Sequence, residues 1–162
     1  MHNYEEMLIQ LAHSQTLLSK RQQRKVKIET FIRLTERLSQ DHILNERIHH
    51  EEPQIMEIYD ACYQFLTAGV SKAYVSSVEE KAYYVTFKSL TDKLAKKFDI
   101  RPKGTYLGMY MVLGIAIGAG VGMAVSTSNP SFYSIGVSLG LVFGVSYGNS
   151  KEKSAIKAGK MY

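Results

Sequence analysis

Hydrophobic positions in the first hundred residues recur at three- and four-residue intervals, the signature of helices that bury one face. Tyr4, Met7, Leu8 and Leu11 form the first stripe; Ile28, Phe31, Ile32, Thr35 and Leu38 form the second, with the polar run KRQQRKVK between them. A third stripe of Ile55, Ile58, Tyr59, Cys62, Phe65 and Leu66 predicts a helix from Gln54 to about Tyr74, with Pro53 suited to its first turn. Ser77-Val78-Glu79-Glu80 carries a capping-box pattern and should start a last helix, lined by Tyr83, Tyr84, Phe87, Leu90, Leu94 and Phe98. No alternating strand pattern competes. Residues 1–100 are therefore expected to form a small antiparallel helical bundle of three to five helices.

The pattern then changes. From Thr105 to Ser150 the chain runs 46 residues without one Asp, Glu, Lys, Arg or His. Residues 107–125 are apolar or small throughout and, at 1.5 Å per residue, reach roughly 28 Å, close to the hydrocarbon thickness of a bilayer. Residues 132–148 form a second, shorter span. The linker between them, Ser126-Thr127-Ser128-Asn129-Pro130-Ser131, is turn and capping chemistry, with Asn129 able to cap and Pro130 suited to a first helical turn. The fold class expected is thus all-α: a cytosolic amphipathic bundle followed by a C-terminal transmembrane helical hairpin over residues 105–150. A juxtamembrane bend at 101–104, imposed by Pro102, would precede the hairpin, and a basic cytosolic tail at 151–162 would follow it.

Charge refines this picture. Residues 1–100 carry 14 Lys and Arg against 14 Asp and Glu, whereas residues 101–162 carry six cations against Glu152 alone. The whole excess behind a pI near 9.2 flanks the apolar segment. There it reads as a topology signal, and no nucleic-acid partner is expected. Arg101 and Lys103 precede the first span, Lys151, Lys153, Lys157 and Lys160 follow the second, and the linker carries no charge. The positive-inside rule then places both termini in the cytoplasm. The start, MHNYEEMLIQ, has no basic region leading into an apolar core, so no cleavable signal is expected and the first hundred residues should stay in the cytosol. With Lys96 and Lys97, these cations make eight candidates for contact with anionic lipid headgroups. Tyr106, Tyr110, Phe132, Tyr133 and Tyr147 fall near span ends, as interfacial aromatics do.

Small residues mark the faces on which the spans can pack. Gly114, Gly118 and Gly122 form one ridge of the first span, and Ala116, Gly120 and Ala124 another about 200° away. Gly136, Gly140, Gly144 and Gly148 form the ridge of the second, with Ser134, Ser138 and Ser146 on its opposite side. A hairpin uses one face per helix, so the others remain open to a second copy or another membrane protein. The pattern GIAIGAGVG, SNP, GVSLGLVFGVSYG and KEKSAIKAGK resembles the glycine-zipper two-helix membrane segments of small bacterial proteins. The resemblance covers about 45 residues and implies oligomerisation or pore-like packing, as in some members, and no enzymatic activity.

Candidate chemistry elsewhere is thin. Glu46-Arg47-Ile48-His49 is a single ExxH step, and His42, Glu46 and His50 share a helical face, but a carboxylate-bridged metal bundle needs two such steps plus further carboxylates. No metal or other cofactor is assigned. Lone Cys62 allows no intramolecular disulfide, and the membrane serines have no His or acid in sequence reach, so no catalytic residue is assigned either. The basic run Lys20, Arg21, Arg24, Lys25 and Lys27 reads as a solvated helix face or a grip on an anionic partner. The leading expectation is a non-catalytic, membrane-anchored interaction protein partnered by the lipid bilayer and by itself or another membrane protein. The alternative is an oligomeric pore.

Overall fold

The computed structural model describes residues 3–68, 77–125 and 131–162, and they are helical with no strand among them. The chain divides into two compact units, Met1–Ile100 with Tyr162, and Arg101–Met161.

The first unit contains α1 (Tyr4–Leu17), α2 (Lys20–Val26), α3 (Ile28–Gln40), α4 (His42–Glu51), α5 (Pro53–Ala68) and α6 (Ser77–Phe98). The expected periodic faces supply its core: Leu11, Ile28, Phe31, Ile55, Tyr59, Cys62, Leu66, Leu90 and Leu94 are almost wholly buried. Tyr84 is the exception on α6, standing about half exposed at 48%. Aromatic rings knit three helices together. Phe31 stacks on Tyr59 at 4.9 Å, Phe31 meets Phe87 at 6.4 Å, and Tyr83 lies between Phe87 at 5.9 Å and Phe65 at 4.6 Å. Buried Thr35 is accommodated because its hydroxyl hydrogen-bonds both the Phe31 carbonyl at 3.0 Å and the Tyr59 hydroxyl at 2.8 Å. Burial pushes the Cys62 thiol up to about 12, so it stays protonated and inert at neutral pH, as a small core residue.

Six helices stand among the described residues of this unit where three to five are expected, and the difference has local causes. The run read as a polar separator is itself α2. Ser19 and Gln22 close a reciprocal capping box, with bonds of 3.0 and 3.3 Å, and Val26 is buried at its far end. Apolar periodicity misses such a helix because one buried residue makes no stripe. Between α3 and α4 the chain breaks at Asp41, whose carboxylate accepts the Leu44 N–H at 3.1 Å and pairs with Arg37 at 2.9 Å. Pro53 does open α5. The capping side chain of Ser77 and the predicted end of α5 near Tyr74 lie outside the described residues, as does the linker with Asn129 and Pro130.

Candidate helix-packing site

The second unit consists chiefly of α7 (Thr105–Val125) and α8 (Ser131–Lys157). They pack antiparallel, since contacts pair early residues of one with late residues of the other: Gly114 with Gly140 and Gly144, Gly118 with Gly136 and Gly140, Gly122 with Phe132 and Tyr133.

The approach is backbone on backbone. A Cβ on Gly118 would collide with the Gly136 carbonyl and stand 2.9 Å from the Gly140 Cα; one on Gly140 would collide with the Gly114 carbonyl and stand 2.9 Å from the Gly118 Cα. The same exclusion holds at Gly114, Gly136 and Gly144, whereas at Gly122 and Gly148 the nearest backbone atoms would be 3.0 Å away, a tight fit that asks a small shift of the neighbour. A carbonyl cannot rotate aside as a side chain can, so Gly114, Gly118, Gly136, Gly140 and Gly144 each require a residue without a Cβ. Such close contact is what small-residue faces permit, and it brings dispersion and weak Cα–H···O contacts between the two backbones. Gly120 differs. Nothing lies within 4 Å of where its Cβ would be, so the ridge of Ala116, Gly120 and Ala124 is exposed and takes no part in this pairing.

The rest of the pair's surface is apolar. Val112, Ile117, Val121, Leu139, Val142 and Phe143 are all exposed, and Phe143 reaches 72%. Only 6% of the apolar window of α7 is buried, whereas a core helix of a soluble protein would be mostly buried. Among the described residues α7 is the one helix long and apolar enough to cross a membrane.

The polar end of the pair is closed by Gly104 and Glu152, neither of which stands out in the sequence as a packing residue. Gly104, at φ +90°, turns the chain into α7 in a conformation that favours glycine. There the Glu152 carboxylate accepts the Gly104 N–H at 2.9 Å and the Leu107 N–H at 3.3 Å, capping the start of α7 from α8. Glu152 occupies the next i+4 step after Gly136, Gly140, Gly144 and Gly148, and that spacing was the available signal. Loss of the carboxylate in Glu152→Ala is expected to destabilise the pair by about 1 kcal/mol, with Glu152→Gln intermediate because its amide oxygen still accepts one bond. Detergent-titrated unfolding of the full chain measures this; equal stability of the three proteins would show that the cap is idle.

α8 runs nine residues beyond the predicted span, so Lys151, Lys153 and Lys157 lie on its last turns and not in an irregular tail. It ends at Gly159, φ +68°, where the Lys160 N–H returns to the Ala155 carbonyl. The Lys160 carbonyl then accepts the Arg101 N–H at 2.9 Å. Lys103, Lys151, Lys153, Lys157 and Lys160 are exposed. Arg101 stands 5.6 Å over the Tyr106 ring and Lys151 5.5 Å over Tyr147, which meets Tyr110 edge-on at 4.7 Å. In the first unit, Lys96 is exposed but Lys97 is paired with Glu52 at 2.6 Å, and that ion pair competes with the lipid contact expected of it.

Three of the remaining residues make ordinary helical contacts. Ser138 donates to the Ser134 carbonyl at 2.8 Å, a helical back-bond. Glu51 takes Arg47 at 3.1 Å, His49 bonds the Asn45 carbonyl at 2.8 Å, and no group of three metal-binding side chains occurs among the described residues. No protein-family model matches the chain, and no curated protein or solved structure matches it.

Proposed function

We propose that this chain is a non-catalytic membrane-anchored interaction protein. In this reading α7 and α8 form a transmembrane hairpin in the cytoplasmic membrane, with residues 1–100 and the basic C-terminal end on the cytoplasmic side. The open ridge of Ala116, Gly120 and Ala124 then associates with a second copy or another membrane protein. The observation that carries the proposal is the pair itself, sealed by glycine on the inside and clad in large apolar side chains on the outside. Such a surface is unfavourable in water and favourable in hydrocarbon.

A pore has less support. Direct contact between Gly114 and Gly140 leaves no lumen within one pair, so conduction would need a ring of copies, and the spans offer it no ionisable residue.

The test is to fractionate cells making the full chain and size the protein in mild detergent. It should resist carbonate extraction, be cleaved by protease only from the cytoplasmic face, and migrate as an assembly well above 18.3 kDa after the detergent's contribution is subtracted. Recovery from the soluble fraction without detergent would overturn the membrane assignment, and a strictly monomeric species would overturn the association.

A further inference from the structure

Lys20 and Arg24, at i and i+4, lie on one side of α2, and Lys27 follows at the helix end. Together with Gln23, Glu29 and Thr30 they line a cavity of about 410 Å³ at the junction of α2 and α3. The basic run is thereby divided. Lys25 pairs with Glu80 at 3.0 Å and Arg21 does not line the cavity, while the three cations that do have Glu29 as the one carboxylate beside them. The lining carries a net charge of +2.

Two further features shape the same place. Gln23 is fixed as a wall, because its amide donates to the Gln15 carbonyl at 2.8 Å and the Leu18 carbonyl at 2.9 Å. Lys27, at φ +49°, both ends α2 and precedes α3, and its ammonium lies 5.5 Å over the Tyr84 ring. Glu29 and Thr30, in the first turn of α3, complete the lining, with the Thr30 N–H held by the Lys27 carbonyl at 3.0 Å. A planar guanidinium fork and two lysine side chains thus line one volume.

We propose that this cavity binds a phosphate group, as a phosphate monoester or pyrophosphate, with Arg24 donating in bidentate fashion and Lys20 and Lys27 balancing the second charge. A dianionic phosphate matches the +2 lining, which a single carboxylate would not. No aromatic ring lines the cavity to stack a base, so a nucleic-acid strand is the poorer fit. The phosphate can belong to a lipid headgroup or to a soluble compound, and the site stands independently of the role of α7 and α8.

Hydrogen exchange on the full chain in phosphatidylcholine nanodiscs tests this, read at the amides of residues 28–31. One arm adds pyrophosphate; the other places phosphatidic acid in the disc. Protection by pyrophosphate identifies a soluble ligand class, and protection by phosphatidic acid alone identifies a headgroup. Arg24→Ala should weaken either effect about tenfold, the loss of a charge-assisted pair of hydrogen bonds. Arg21→Ala removes the same charge from outside the cavity and should leave the effect unchanged, with both variants melting like the parent. Absence of protection by either probe would overturn the proposal, as would an Arg21→Ala loss equal to that of Arg24→Ala, which would mark diffuse charge and no built site.

Discussion

Leucine at Gly140 is expected to force α7 and α8 apart, while leucine at Gly120 leaves them together. The two residues are chemically identical and both sit in apolar helices, so composition does not separate them. Their surroundings do. At Gly140 even a Cβ collides with the Gly114 carbonyl and lies 2.9 Å from the Gly118 Cα, and these backbone atoms belong to a continuous helix that can yield only by moving as a body. Overpacking a core that can relax costs about 1–3 kcal/mol, and this contact should cost at least the upper figure. At Gly120 nothing lies within 4 Å. A short bis-maleimide bridging cysteines substituted at Tyr110 and Tyr147, whose rings meet at 4.7 Å, reports pair closure, and the buried Cys62 does not compete. Most of the cross-linked product should vanish in Gly140→Leu and persist in Gly120→Leu. Gly120→Leu should instead reduce the size of the detergent-extracted assembly, because the proposed association uses that ridge. Equal cross-linking in both variants would refute the backbone contact; an unchanged assembly in Gly120→Leu would remove the ridge from the interface.

The second large effect concerns solvent, and its size differs between environments. Ile117 lies in the middle third of α7 and is 59% exposed. Were that face in water, Ile117→Arg would alter stability by no more than about 0.5 kcal/mol. In lipid, arginine near the centre of a helix costs about 3 kcal/mol on insertion scales, roughly a hundredfold in the inserted population. The membrane reading therefore predicts that Ile117→Arg strips the protein from the carbonate-resistant fraction. Ile9→Arg makes the same change at a residue 71% exposed on α1 and should leave fractionation unaltered. If both variants partition like the parent, the outer face of α7 does not meet hydrocarbon.

The bundle and the helix pair were legible to different depths. In α3, α5 and α6 the buried stripes were readable because an i, i+3, i+4 pattern is a local property and a helix displays it whatever it packs against. α2 was not, since its stability rests on a capping box and a single buried valine. Lys97 illustrates another limit: its charge marks it as a lipid contact in the sequence, but its Glu52 partner is brought in from a distant turn of chain.

By itself the amino-acid sequence determined that residues 105–150 are uncharged and carry ridges free of bulky side chains, because glycine spacing and the absence of Asp, Glu, Lys, Arg and His act residue by residue. Only the tertiary structure decided which of the two ridges on α7 meets α8, and it chose Gly114, Gly118 and Gly122 over Gly120. It also gave Glu152 the start of α7 to cap. Both outcomes depend on the rotation and register of one helix against another. Those quantities are set by non-local contact between backbones, and two ridges of similar smoothness look alike until a partner lies against one of them.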